Sequence, residues 1–209
     1  MRAVTDRLTH LRSDARDNRE RILEAARAVF AADGLDAPMR KIARTAAVGP
    51  ATLYRHFPTK QELVTEAFSE RMRACYVVVD EGLADPDPWR GFSTVIERLC
   101  ELQSRDRGFT AAFMSSYPGA MDFAADRGHA LGSFAALARR AKEAGRLRAD
   151  FTLDDLILVL MANGGIQAPS PAARVAASRR FAALAVQAFR ASPDAAPLPP
   201  AARLAFVAA

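Results

Sequence analysis

The stretch Val48-Gly49-Pro50-Ala51-Thr52-Leu53-Tyr54-Arg55-His56-Phe57, followed by Thr59-Lys60-Gln61-Glu62-Leu63, decides how this chain folds. Val48, Leu53 and Phe57 recur at a spacing of four to five and share the buried face of a helix that starts near Gly49. Thr52, Tyr54, Arg55 and His56 are left facing outward. A hydroxyl, a phenol, a guanidinium and an imidazole on one exposed surface can donate hydrogen bonds to phosphate oxygens or base edges. Many surface helices carry such groups only as a solvated face, so the flanking sequence has to decide.

Upstream, Ile22, Ala25, Ala26, Val29 and Phe30 mark an amphipathic helix from about Asp17 to Asp33, with Gly34 as its left-handed stop. A shorter helix follows, with Met39, Ile42, Ala43 and Ala46 on its apolar face, and Val48-Gly49 turns the chain into the Tyr54 helix. Two short helices joined by a tight turn, the second polar outward, form a helix-turn-helix whose second helix fits the major groove of DNA. Thr59-x-x-Glu62 then reads as a capping box that opens a fourth, longer helix. Tyr76-Val77-Val78-Val79 continues the register of Leu63, Ala67 and Phe68, and is read as the end of that helix.

On these residues the segment 17–68 resembles the DNA-binding domain of the TetR family of bacterial transcriptional repressors. The resemblance runs through Ile22-Leu23-x-Ala25-Ala26-x-x-x-Phe30-x-x-x-Gly34, Ile42-Ala43-x-x-Ala46, Thr52-Leu53-Tyr54-x-His56-Phe57 and Lys60-x-x-Leu63. It implies that Thr52, Tyr54, His56 and Lys60 hold phosphates, and that Arg40, Pro50, Ala51 and Arg55 face the groove. Pro50 and Ala51 have no side-chain donors, so hydrogen-bonded base reading falls on Arg40, Arg44 and Arg55. Three positions depart from the family pattern. Pro38 and Met39 stand where hydroxyl residues are common, which removes candidate phosphate contacts. Ala47 replaces the glycine usual in the turn, where a positive φ would cost alanine about 1 kcal/mol.

Charge agrees with this placement. The first 60 residues carry 12 Lys or Arg against 7 Asp or Glu, whereas the rest of the 209-residue chain carries 17 of each. A phosphate-binding surface requires such a local excess. Arg2, Arg7, Arg12, Arg16 and Arg19 lie in an N-terminal arm that also holds Asp6, Asp14 and Asp17, to be read either as a mixed-charge tail or as a minor-groove arm. No signal peptide or apolar run of about 18 residues is present, so a cytoplasmic protein without membrane contact is expected. Cys75 and Cys100 lack metal-ligand spacing and are read as small buried or half-buried apolar residues, with a redox switch as the alternative. With His10, His56 and His129 scattered, no nucleotide loop and no nucleophile elbow, neither an enzyme nor a cofactor or metal is expected.

The expected fold is all-α, a three-helix helix-turn-helix domain followed by a helical ligand-binding and dimerisation bundle. Its expected parts are a flexible arm over 1–16, the DNA-binding domain over 17–62, the bundle over 63–191 and a disordered Pro- and Ala-rich tail over 192–209. Gly82 to Pro88 is the best linker, with Asp87 as N-cap and Pro88 at the first helical position. Helices are expected from Trp89 to Ser104, Phe109 to Ser116, Met121 to Ala144, after a Thr152/Asp155 cap, and from Ser170-Pro171 to about Ala191.

In the resembling family the last two long helices pair across a two-fold axis, which implies a homodimer on a palindromic operator in double-stranded DNA. Leu156, Leu160, Phe181, Leu184 and Phe189 are candidates for that surface, or else belong to the protomer's own core. Phe92, Leu99, Phe109, Phe113, Met114, Tyr117, Phe134 and Met161 can line a site for a small apolar or amphipathic effector, oriented by Gln103, Tyr117 or Asn163; each can equally be ordinary core. A non-specific DNA-binding accessory protein, or a ligand binder that has lost its operator, are the alternatives.

Overall fold

The structure is a computed structural model. It describes residues 2–106, 109, 122–194 and 196–201, and the side chains of residues 2–15 and 122–127 are outside the description. Among the described residues there are eight helices: α1 Arg2–Asp33, α2 Met39–Thr45, α3 Pro50–His56, α4 Lys60–Ala84, α5 Pro88–Arg105, α6 Asp122–Glu143, α7 Leu153–Gly164 and α8 Pro171–Phe189. The expected short helix over 109–116, with its break at Tyr117-Pro118-Gly119, lies outside the described residues apart from Phe109, which is helical and buried. No described helix is long and apolar enough to cross a membrane.

The punctuation read from the sequence is what ends and starts these helices. Gly34 takes φ 78° after α1 and Gly145 takes φ 66° after α6, conformations that cost glycine nothing. Asp87 accepts from the Trp89 and Arg90 N–H groups at 2.9 and 3.1 Å, with Pro88 behind it. Ser170 accepts from Ala173 N–H at 3.1 Å. Asp155 reaches back to the Thr152 N–H at 2.7 Å, and Thr59 accepts from Glu62 N–H at 3.1 Å. Each cap satisfies donors that a helix start leaves orphaned.

Two boundaries differ from the sequence expectation. The first helix begins at Arg2 rather than near Asp17, so the segment read as an arm continues α1. Gly82 is not in a linker: α4 runs on to Ala84, and the loop to α5 is Asp85–Asp87. Gly82 and Gly91 are both buried where α4 crosses α5. A Cβ on Gly91 would lie 2.3 Å from the Gly82 carbonyl oxygen, and one on Gly82 would lie 2.2 Å from Val95 Cγ2. The glycines are there because the two backbones touch, not because the chain turns.

α5 is the axis of the bundle, packed by α4, α6, α7 and α8. At its N-terminal end Phe92 stacks on Trp89 with ring centroids 5.7 Å apart and meets Phe151 edge-on at 5.2 Å, and Phe151 meets Phe189 at 4.9 Å. Such offset and edge-on geometries suit the aromatic quadrupole. Towards its C-terminal end lies a buried polar knot. Asn163 Nδ2 donates to the Cys100 carbonyl at 3.0 Å and to Gln103 Oε1 at 3.1 Å, while Ser178 Oγ donates to Asn163 Oδ1 at 2.6 Å. This ties α5, α7 and α8 together in one register, since a slip would strand buried polar atoms.

At the other end, α1 packs on α2 and α4 over Ile22, Ala26, Phe30, Ile42, Leu53, Leu63 and Phe68. α4 runs through one continuous apolar core and, at about 1.5 Å per residue, its 25 residues form a strut of about 37 Å from the small domain to the aromatic end of the bundle. Among the described residues of the tail as far as Ala201 there is no helix. It is tethered where Arg148 donates to the Ala196 carbonyl at 3.0 Å and Leu198 N–H to Asp150 at 3.0 Å; Leu204, Phe206 and Val207 lie outside the described residues.

Candidate nucleic-acid interface

Leu53 and Phe57 are buried and Val48 is partly so, which turns the opposite face of α3 to solvent. On that face Pro50, Ala51 and Arg55 are exposed, Tyr54 is 50% exposed, and Thr52, His56 and Lys60 are half-buried. Arg40 and Arg44 stand one turn apart on the exposed side of α2. All nine residues read from the sequence as DNA-binding thus have solvent-accessible surface on α2, α3 or the first turn of α4.

The cations here differ from many others among the described residues. Arg27, Arg71, Arg90, Arg98, Arg105, Arg139, Arg148 and Arg179 all pair with carboxylates. The side chains of Arg40, Arg44, Arg55 and Lys60 make no hydrogen bond or ion pair with any described residue. A guanidinium held free of intramolecular partners keeps its fork available for a phosphate or a guanine edge. His56 is partly enclosed, with Nε2 buried and unpartnered. Burial, then the charges of Arg55 and Arg19, lower its pKa, so the ring is neutral at pH 7. A neutral imidazole can donate a hydrogen bond but brings no positive charge.

Pro38 starts α2 without a side-chain cap, as its residue type dictates. The turn that follows α2 goes through Ala47 at φ 53°, the one described non-glycine residue with positive φ. Two residues of α1 act on this region with no sequence signal for it. Arg21 donates to the Ala46 carbonyl at 2.7 Å and the Ala47 carbonyl at 3.3 Å. Arg19 pairs with Glu66 and lies over the Phe57 ring, 4.7 Å from its centroid.

The bundle redistributes the other candidates. Leu156, Leu160 and Phe189 are buried in the protomer core, so they are spent there and do not form an outer face. The exposed large apolar residues of α7 and α8 are Leu158 (56%), Met161 (46%) and Leu184 (53%), and Phe181 is partly buried. Met161 therefore points out of the bundle, not into a ligand site. Gln103 and Asn163 are engaged in the polar knot and Phe92 in the aromatic cluster, which are structural roles. Phe109 is buried and packs on Phe68 at 6.2 Å; Phe113, Met114 and Tyr117 lie outside the described residues. Among the described residues of the expected set, Leu99 and Phe134 line a small cavity, of about 40 Å³, between α4, α5, α6 and α7. Its other walls include Cys75, Tyr76, Val79, Leu131 and Ile157. Burial pushes the Cys75 and Cys100 thiols up to about 12, so both are inert as thiolates near neutral pH. No three His, Cys, Asp or Glu side chains among the described residues are grouped to hold a metal ion.

Residues 22–67 match the family model described as bacterial regulatory proteins, tetR family. Over 74 residues the chain is 36% identical to helix-turn-helix-type transcriptional regulators of Staphylococcus aureus, a match spanning 35% of this chain and 34% of theirs, about a third of each. Along nearly its full length it is 31% identical to the TetR transcription regulatory protein from Mycobacterium vanbaalenii, covering 86% of this chain and 99% of that one with a TM-score of 0.50. A TetR transcriptional regulator from Streptomyces coelicolor is 28% identical, over 83% of this chain and 99% of that one, with a TM-score of 0.52.

Proposed function

From the premise that this chain belongs to the tetR family of bacterial regulatory proteins, and so is a DNA-binding helix-turn-helix transcriptional regulator, we propose that it works as a dimeric repressor released from a palindromic operator by a small apolar or amphipathic effector. The observation that carries this reading is the set of exposed arginines, Arg40, Arg44 and Arg55, whose side chains have no partner among the described residues, on a pair of short helices. α3 enters the major groove. Thr52, Tyr54, His56 and Lys60 position it on phosphates, Arg40, Arg44 and Arg55 read base edges, and Pro50 and Ala51 supply apolar contact to a thymine methyl.

Dimerisation uses Leu158, Met161 and Leu184, large apolar side chains that one protomer leaves in water. A two-fold axis through this face presents two copies of α3 about 34–36 Å apart, or a multiple of that, on a palindrome. The effector site is the cavity by Leu99 and Phe134. At about 40 Å³ it holds little more than a water, so an effector enters by favouring a conformation in which α4 moves away and the space widens. Because α4 carries Lys60 at its other end, that conformation loses the groove register of the two DNA-binding domains. Operator affinity then falls by the effector's differential affinity for the two states.

The test is selection of bound duplexes from a random library at about 0.15 M salt, where specific and non-specific binding separate. An enriched palindrome supports the reading and supplies the probe for effector screening. Binding without enrichment identifies a non-specific accessory protein, and absence of binding a ligand protein that has lost its operator.

A further inference from the structure

We propose that Arg19 and Arg21 of α1 are positioning residues that clamp the two ends of α3, with Arg21 holding a turn that lacks its glycine. The inference rests on α3 being the DNA-reading helix. α3 has seven residues, too few to be stable alone, so its placement depends on what grips its ends.

Before α3 the chain must pass through Ala47 at φ 53°, a conformation in which Cβ crowds the following carbonyl. The N–H groups of the turn are already used: Ala46 donates to Ile42 at 2.8 Å, Ala47 to Arg44 at 3.1 Å and Val48 to Ala43 at 3.0 Å. The Ala46 and Ala47 carbonyls sit at the negative end of α2, and both receive Arg21 Nη2. Asn18 Oδ1 accepts from the other terminal nitrogen of Arg21 at 3.3 Å and orients the fork. A charge-assisted bond across 25 residues thereby fixes the strained turn to α1. At the far end, Phe57 closes α3 as its C-cap and is buried, under the Arg19 guanidinium, which is itself anchored by Glu66 of α4. The two arginines lie two positions apart on α1, and between them they bracket α3.

Arg21 is exposed, so the test must separate positioning from direct phosphate contact. Arg21→Met and Arg21→Lys are made in the full chain, each with and without Ala47→Gly. Two quantities are read: affinity for a selected and a random duplex across a salt series, and native-state hydrogen exchange of the backbone amides from Val48 to Phe57. Loss of a charged hydrogen bond predicts about a tenfold fall in selected-duplex affinity for Arg21→Met, with an unchanged salt slope and faster exchange in α3 but not in α5. Arg21→Lys, which keeps the charge without the fork, recovers only part of this. Ala47→Gly, which lets the turn adopt its conformation unaided, restores most of the affinity lost by Arg21→Met. A salt slope lowered by about one with unaltered exchange would make Arg21 a phosphate ligand and overturn the proposal. So would an Ala47→Gly effect of the same size in both backgrounds. If the unmodified chain prefers no duplex, the operator reading fails, and the exchange data still decide whether the clamp exists.

Discussion

Gly91→Ala sets helix propensity against tertiary packing, and the two predict opposite signs. By propensity alone, alanine in the interior of α5 should stabilise the protein by about 1 kcal/mol. By packing, the new Cβ lies 2.3 Å from the Gly82 carbonyl oxygen and 3.1 Å from Asp85 Cβ. A carbon sits comfortably about 3.3 Å from a carbonyl oxygen, so α4 and α5 must part by about 1 Å. The obstacle is helical backbone with no rotamer to change, and the separation opens the contacts of Val95, Phe92 and Val79. Overpacking of this kind costs about 3 kcal/mol, leaving a net loss of about 2 kcal/mol. For a chain of this size that lowers Tm by roughly 4–8 °C. The control is Gly132→Ala in α6, where a Cβ meets nothing within 4 Å; there propensity acts alone and Tm should rise by about 2–4 °C. Thermal unfolding followed by circular dichroism, at one protomer concentration for all variants, reads both. If Gly91→Ala is as stable as Gly132→Ala, the close crossing of α4 and α5 is not real and the account of these glycines is wrong.

Three further outcomes are expected. Tyr54→Phe and Lys60→Ala should weaken binding to all sequences, Lys60→Ala lowering the salt slope by about one, whereas Arg40→Ala and Arg55→Ala should relax preference at particular bases; identical behaviour of all four in a binding series would remove the division between positioning and reading residues. Leu184→Glu should yield a folded monomer in sedimentation analysis, and Leu156→Glu an unfolded chain, because the first side chain is in water and the second in the core; a Leu184→Glu dimer would place the interface elsewhere. Glu101 accepts a fork from Arg179 at 2.9 and 3.0 Å and a bond from Arg105 at 2.6 Å, which hold its carboxyl at about 2 against an ordinary 4.5. A depressed native pKa stabilises fully above about 4.5 and is lost as pH falls towards 2, so Arg179→Ala should flatten the acid side of a stability profile, modestly because the group faces water. An unchanged profile in denaturant titrations between those pH values would discount the pair.

Much of the small domain was legible in the sequence because its signals are local. Val48, Leu53 and Phe57 give a helix face by spacing alone, Thr59, Asp87, Thr152 and Ser170 start helices through bonds that span three residues, and Gly34 and Gly145 stop them. Ala47 stood out only through the resemblance, because the resembling family usually has a glycine at that turn, and the structure gives it φ 53°. The roles of Arg19 and Arg21 were not legible: from sequence they are two more cations near a mixed-charge arm, and only the approach of α1 to the turn and to Phe57 gives them partners.

The sequence by itself determined that the chain is all-α, where most helices start and stop, and which residues a DNA-reading helix would offer to solvent, since periodicity and capping depend on neighbours within a few positions. The tertiary structure alone decided which apolar residues of the bundle are core and which are surface. Leu156, Leu160, Leu158 and Met161 share one apolar helix, and a helix apolar on several faces does not say which of them its neighbours will cover. It also decided that Gly82 and Gly91 serve a backbone contact, and that Gln103 and Asn163 belong to a buried knot. Those outcomes depend on groups brought together from distant parts of the chain, and helical spacing along α5 or α7 carries no record of them.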